Sequence, residues 1–312
     1  MRAVGVVDFG GPDALRVVEL PEVHAGPGEV RIRSHAATVN PADTYIRSGV
    51  LARRLRPLGP PYVPGMDAAG VLDEIGEGVD TDLAVGDHVM AIVLPEGAHG
   101  GYAEQIVVPA ASVVRVPAGV DDATASTLPM NGLTARLALD LLALPPGGTL
   151  AVTGAAGCFG GYTVQLAKVD GLRVVADASE ADEELVHALG ADVVVRRGPE
   201  IAERIRAAVP GGVDAVADGS LQGTALLGAI RDGGAFAAVR PFEGDTERGI
   251  TLHQVWVREY GRERERLDRL RELVEQGALT LRVARTFPAD QAPEAHRLLE
   301  RGGTRGRLVL TW

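Results

Sequence analysis

Cysteine and lysine are nearly missing from this chain. Cys158 is the single cysteine in 312 residues, which excludes an internal disulfide and any zinc centre built from several thiolates. Apart from Lys168, every one of the 31 basic side chains is an arginine, so Schiff-base chemistry has one candidate. An excess of positive charge is lacking as well. The formal net charge is −11, and an obligate nucleic-acid partner would need a dense basic face that such a chain does not supply. Long apolar runs are also absent: no stretch approaches the roughly 20 apolar residues that span a bilayer. Residues 1–11 carry charges and glycines in place of an apolar core with a cleavage site. These absences lead us to expect a soluble, cytoplasmic protein, with no nucleic acid and no membrane among its partners, acting on small molecules or pairing with its own copies.

Glycine is plentiful, at 40 residues, and its placement matters most between Thr149 and Lys168, TLAVTGAAGCFGGYTVQLAK. A short apolar, β-branched run ends in glycine and alanine, and a helical pattern follows, which reads as strand, tight turn, helix. Within the turn, Ala155-x-Gly157-x-x-Gly160 has the spacing of the dinucleotide fingerprint, with alanine for the first glycine. Little side-chain bulk is wanted there, because the backbone must approach a diphosphate whose charge sits on the N–H groups of the first helical turn. Ala155, Ala156, Gly157, Cys158, Phe159 and Gly160 are therefore candidate cofactor-binding residues. A merely tight turn is the alternative, and the flanking strand and helix favour the dinucleotide. Cys158 is read as a small buried filler in preference to a thiol activated by the helix N-terminus.

Before this turn the chain is β-like. Strand-like pieces at 2–7, 16–19, 29–36, 68–75, 88–92, 105–109 and 113–116 are separated by glycine and proline turns, which suggests a compact barrel or sandwich. Helical periodicity begins near residue 121 and runs clearly over 131–142. Thereafter strands at 149–153, 172–176, 192–195, 213–217 and 234–239 alternate with helices at 158–168, 180–189, 199–208 and 221–231, the rhythm of a doubly wound parallel sheet. A closing strand at 306–312 breaks that rhythm and is expected to return to the first domain. The expected domains are 1–118, 119–257 and 258–312, the last belonging with the first.

Several strings then carry a resemblance over nearly the whole chain. They are Val39-Asn40-Pro41-Ala42-Asp43-Thr44-Tyr45-Ile46-Arg47-Ser48-Gly49, Pro64-Gly65-Met66-Asp67-Ala68-Ala69-Gly70-Val71, Gly132-Leu133-Thr134-Ala135, the 153–168 turn and helix, and Gly306-Arg307-Leu308-Val309-Leu310. Together they resemble the medium-chain dehydrogenase/reductase superfamily, in its zinc-independent quinone oxidoreductase branch. The resemblance implies an α/β protein with a GroES-like β-barrel domain, an inserted doubly wound Rossmann domain, and a cleft where nicotinamide meets substrate. Zinc-dependent relatives carry cysteine where Asn40 stands and histidine where Met66 stands, and they hold a further four-cysteine zinc lobe. Neither metal site can be built from this sequence. Without a Lewis acid, a quinone or activated enone suits hydride transfer better than a simple ketone or alcohol.

Asn40 and Tyr45, in the segment resembling the family's substrate loop, are the candidate catalytic hydrogen-bond donors. The bland readings are a turn-forming asparagine before Pro41 and a half-buried packing aromatic. Tyr62 either lines the cleft or is a solvent-facing loop residue. Asp43 is expected to anchor its own turn or pair with Arg47, and no acid with a strongly shifted pKa is expected. By resemblance, Asn131 and Thr134 open a helix passing under the nicotinamide, although ordinary N-terminal polar residues would look the same. Gly219 and Ser220, and Val239 and Arg240, follow strands at the ends where open α/β sheets bind ligands. Arg307 stands in the place of the family's usual lysine and either approaches the cofactor or simply pairs at the surface.

Cofactor choice is expected after the second parallel strand. Asp177 there would hold ribose hydroxyls and favour NAD(H), whereas in this branch a serine matching Ser179 touches the extra phosphate and Arg197 could supply positive charge. The weight falls on NADP(H), with NAD(H) possible. The expected activity is hydride transfer from NAD(P)H to quinones or other α,β-unsaturated carbonyl compounds. The alternatives are a cofactor-binding sensor without turnover and an enoyl or polyketide-tailoring reductase. The apolar run 251–257 at the end of the parallel series suggests a homodimer through an edge strand.

Overall fold

A computed structural model describes residues 1–94, 99–242 and 244–312. The chain packs as two units. The first comprises residues 1–130, 261–275 and 281–312, and the second comprises residues 131–260 and 276–280.

Alternating inward residues make the first unit a β structure. Its seven-stranded sheet runs Val283–Pro288, Arg307–Thr311, Glu29–Thr38, Asp67–Ile75, His88–Ile92 and Val113–Arg115, with Gln105–Pro109 on the other side of Glu29–Thr38. Arg2–Gly5 and Arg16–Glu19 form a separate antiparallel pair. Ile32, Leu72, Val89, Tyr102, Phe287 and Leu310 are fully or almost fully buried in one apolar cluster. Burying each such side chain contributes about 1.5–3 kcal/mol, which is why the strand alternation fixes which face turns inward. The closing strand Arg307–Thr311 pairs antiparallel with Glu29–Thr38, Val309 opposite Thr38.

Two helices interrupt the β pattern where the sequence reading saw only loop. Pro41–Ser48 begins with proline at its first position and ends at Gly49, whose φ of 84° suits a left-handed C-terminal residue. Ala52–Leu55 follows as a single turn.

The second unit is a six-stranded parallel sheet in the order Val193–Arg196, Arg173–Ala178, Thr149–Thr153, Val213–Asp218, Ile230–Ala238, Thr251–Gln254. Helices Cys158–Val169, Glu183–Ala188 and Ile201–Ala208 connect its strands. The expected helix at 221–231 is corrected to a 3-10 stretch, Gly223–Ala229, that leads straight into Ile230–Ala238. Leu221 and Gly223 sit at positive φ, 62° and 57°, a conformation that cannot start an α-helix. The 251–257 run shortens to Thr251–Gln254, an edge strand paired only with Ile230–Ala238 among the described residues.

Candidate functional site

The strand order of the second unit reverses direction between Thr149–Thr153 and Val213–Asp218, where Thr153 lies opposite Asp218. Open α/β sheets bind ligands beyond the carboxyl ends of such strands, and two glycine turns interlock at this point. Gly154 has a φ of 68°, and a Cβ on it would lie 2.9 Å from the carbonyl carbon of Gly219. A Cβ on Gly160 would lie 2.3 Å from the Gly154 oxygen, and one on Gly219 would lie 2.8 Å from the Phe159 ring. Side chains at these positions would push helix Cys158–Val169 away from its strand. Asp218, absent from the sequence reading, ties the second turn down. It accepts from Thr153 Oγ1 at 2.7 Å, Ser220 N at 3.1 Å and Gly223 N at 2.8 Å. Its signal was an acidic residue closing the strand just before Gly219. Ala155, Ala156 and Cys158 are buried around the turn, and the remaining expected residues Gly157 and Phe159 complete it.

The Ala155 amide points elsewhere than expected. It donates to Asp177 Oδ1 at 3.2 Å, and the Gly157 amide donates to the Gly154 carbonyl at 2.9 Å, so both of these hydrogen bonds are made inside the unit. Asp177 is 1% exposed, and its other oxygen accepts from Arg197 Nε at 3.0 Å. Each Asp177 carboxylate oxygen thus accepts one hydrogen bond from inside the unit. Arg197 keeps 38% of its side chain exposed and is held by Asp177 at the carboxyl end of Val193–Arg196. Ser179 Oγ donates to Asp182 Oδ2 at 2.5 Å, which places a carboxylate beside the hydroxyl expected to meet a phosphate.

Asn131 and Thr134 lie in helix Pro129–Leu142, each 8% exposed. Asn131 Nδ2 is buried without a hydrogen-bond partner among the described residues. Leaving such a donor unmatched costs roughly 1–3 kcal/mol, so this atom fits a ligand that accepts from it. Val239 and Arg240 are half-buried just past Ile230–Ala238, and the Arg240 carbonyl accepts from Gln254 Nε2 at 2.8 Å. The glycine turns and the Asn131 donor thus fit a nicotinamide dinucleotide.

In the first unit a buried polar network surrounds Asp67. Asp67 Oδ2 accepts from Asn40 Nδ2 at 2.9 Å and from the Thr38 hydroxyl, and Oδ1 accepts from Met130 N at 2.5 Å. Arg307 lies 3.5 Å from Asp67 Oδ2, donates to Thr38 Oγ1 at 3.0 Å, and also donates to Asn40 Oδ1. Burial pushes the Asp67 carboxyl up, opposed by Arg307 and these hydrogen bonds. Asn40 is 0% exposed and Arg307 6% exposed. Asn40 thus turns its amide into the network, and Arg307 turns Nη2 toward Asp67, Asn40 and Thr38 while its Nε is buried without a hydrogen-bond partner among the described residues. Tyr45 remains half-buried on helix Pro41–Ser48. Tyr62 is no loop residue in water but is buried and stacks on Phe9, ring centroids 4.8 Å apart.

Asp43 forms a second buried chain. It accepts from Asn40 N at 2.7 Å, Gly65 N at 3.0 Å and the Tyr102 hydroxyl at 2.9 Å. Burial pushes its carboxyl up to about 7, with the backbone N–H groups of Asn40 and Gly65 pulling the other way. A strongly shifted acid therefore exists where none was expected, sealed from solvent. Arg47 does not pair with it. Arg47 contacts His296 Nδ1 at 3.2 Å and Glu300 at 2.5 Å. Because a guanidinium only donates, His296 Nδ1 accepts, and Nε2 carries the proton toward Tyr102, 3.2 Å away. Burial, and then Arg47, push His296 down to about 3.

Comparisons with known proteins agree with this architecture. Residues 26–118 match the alcohol dehydrogenase GroES-like domain, and residues 189–310 match a family described as zinc-binding dehydrogenase. The chain is 33% identical over 326 residues to a 2-haloacrylate reductase of Burkholderia sp, covering 96% of each. It is 28% identical over 334 residues to a quinone oxidoreductase of Sus scrofa, covering 99% of this chain and 97% of that one. The chain belongs to the medium-chain dehydrogenase/reductase superfamily, in its quinone oxidoreductase branch. It is an oxidoreductase, which removes the reading as a sensor without turnover. A solved mycobacterial structure, Rv1454c complexed with NADPH, superposes on this oxidoreductase with a TM-score of 0.86 at 30% identity over 100% of both chains.

The matched description names zinc, but the donors around Asp67 do not fit that ion. Neither histidine nor cysteine belongs to the set, and the Arg307 guanidinium already stands beside the carboxylate. A dication there would be repelled by a buried positive charge at close range.

Proposed function

We propose that this oxidoreductase transfers hydride from NADPH to a quinone or another α,β-unsaturated carbonyl compound, without zinc. The observation that carries the cofactor choice is the Asp177–Arg197 pair. A buried aspartate neutralised by an arginine no longer repels a 2′-phosphate, and the exposed part of that guanidinium is a partner for one. When bound, the nicotinamide supplies hydride directly to carbon, so the chain's work is holding, orienting and excluding water. The first turn of helix Cys158–Val169 receives the diphosphate, Asp218 holds the neighbouring Gly219 turn in place, and Asn131 Nδ2 donates to the cofactor. Tyr45 is the candidate donor to oxygen charge developing on the substrate, since Asn40 is sealed. The substrate class rests on the relatives named above, one of them a reductase of a haloacrylate, an activated alkene. The Thr251–Gln254 edge is the proposed homodimer contact.

Steady-state oxidation of NADPH and NADH with a panel of small quinones and enones tests this reading. The expected result is turnover unaffected by chelators, with kcat/KM at least tenfold higher for NADPH. Preference for NADH overturns the cofactor choice, and absence of turnover on every quinone and enone, with turnover of a carrier-bound enoyl thioester, moves the assignment to an enoyl reductase.

A further inference from the structure

His35, His88 and Asp122 converge on one point of the first unit, and no step of the proposed reaction uses them. Their ligand atoms all lie within 4.8 Å of one another, the single such group of three among the described residues. His35 Nδ1 is 2.7 Å from Asp122 Oδ2, while His88 Nδ1 is 2.9 Å from Oδ1 and 3.1 Å from Oδ2. The three come from strand Glu29–Thr38, strand His88–Ile92 and the short helix Asp122–Ala125.

The fold aims them deliberately. The two strands are not neighbours, since Asp67–Ile75 lies between them, and next-but-one strands run about 9.5 Å apart. Yet the two imidazole rings sit with centroids 6.1 Å apart. A bulge accounts for this: the register of Glu29–Thr38 shifts between Ser34 and Ala36, so His35 is the extra residue opposite Gly70 and Ala69. Bulges bend a strand and re-aim a side chain. Gly70 makes room, for a Cβ there would lie 2.0 Å from the Arg33 oxygen and 2.9 Å from His35 N.

We propose that His35, His88 and Asp122 form a binding site for a divalent transition-metal ion of the zinc type. Two neutral imidazoles and a carboxylate are the donors such ions select, and magnesium or calcium would want oxygen alone. A dication held by both Nδ1 atoms and the carboxylate would take the place of the ring protons in these hydrogen bonds. Ligands around tetrahedral zinc stand about 3.3 Å apart, so each histidine–carboxylate pair need open by about half an ångström, with all three ligand atoms already within 4.8 Å of one another. His35 and His88 have side chains 42% and 56% exposed, and Asp122 11%, so the rings are open to an ion from solvent while the carboxylate lies largely covered. Solvent would complete the coordination. Such an ion would clamp two strands to the helix that precedes Asn131 in the chain.

The test uses tag-free, chelator-treated full-length protein titrated with zinc, nickel and magnesium, followed by calorimetry and thermal unfolding. The expected result is one zinc or nickel ion bound per chain, a rise in Tm saturating at that ratio, and no effect of magnesium. His88→Gln and Asp122→Asn should lose the stoichiometric binding, and His24→Gln should keep it. Copper bound by the wild type should show hyperfine coupling to two nitrogens, and to one in His88→Gln. Each variant's metal-free unfolding curve separates loss of the site from loss of the fold. Binding equal in wild type and His88→Gln, or no saturable binding by a folded wild type, overturns the proposal.

Discussion

Each unit buries an aspartate against an arginine, and the two pairs differ in what they leave outside. In the first unit Asp67 and Arg307 are 0% and 6% exposed, and Asn40 and Thr38 each bond to both of them. In the second, Asp177 is 0% exposed while Arg197 keeps 38% of its side chain in water. A pair closed off from water holds the fold together. A pair with one open end fixes a charge at a chosen place and still presents it to a ligand. The same two residue types thus act as a lock in one unit and as an anchored contact in the other.

Removing the cation should separate the two cases. Arg307→Ala leaves Asp67 charged and buried without its partner, and should destabilise the chain by about 3–5 kcal/mol, measured by denaturant unfolding. The double variant Asp67→Asn with Arg307→Met should recover most of that loss, and a mild single variant would show the lock to be dispensable. Arg197→Ala should cost at most about 1 kcal/mol of stability, as for other part-exposed pairs. Its effect should appear instead in binding, raising KM for NADPH roughly tenfold, about 1.4 kcal/mol, with KM for NADH unchanged. An equal rise for both would place Arg197 away from the 2′-phosphate.

The sealed chain beside the lock carries a pH signature. Asp43 goes from 3.8 up to about 7 on folding, so between those values the folded state holds a proton that the unfolded state has lost. Its contribution to stability therefore falls as pH rises through that window. His296 goes from 6.5 down to about 3, so the folded state binds less proton and stability is lost as pH falls through that window. Wild type should show the two largely cancelling. Asp43→Asn deletes one side, so its stability relative to wild type should climb on the order of 1 kcal/mol per pH unit between about pH 4 and 7. A flat difference would mean that Asp43 does not titrate there. The smallest effect is expected at Ser179→Ala, with stability changed by about 0.5 kcal/mol and KM for NADPH unaltered. A several-fold rise would restore Ser179 as a phosphate ligand.

The strands and the fingerprint turn were legible because their signals are local. Thr149–Thr153, His88–Ile92 and Gln105–Pro109 lie where alternation and flanking glycines put them. Glycine spacing at 157 and 160 anticipated a turn whose tolerance for bulk is nil at Gly160. Sequence reading went astray where local propensity gave way. Helix Pro41–Ser48 hid behind turn-like residues, and the 221–231 helix dissolved at two positive φ angles.

Candidate site residues fared by the same rule. Asn40, Asp177 and Arg307 were singled out for their chemical types, but what each does depends on partners 20 to 267 residues away along the chain. Asp218 and His296 were passed over because nothing near them in sequence shows what they hold.

By itself the sequence determined the class of each unit, the place of the dinucleotide turn and the shortage of thiolates, because side-chain periodicity, glycine spacing and composition act within a few residues. Only the tertiary structure decided which carboxylates are closed in and which arginine faces water. That outcome depends on desolvation and on pairing across distant strands, and both are properties of the packed chain.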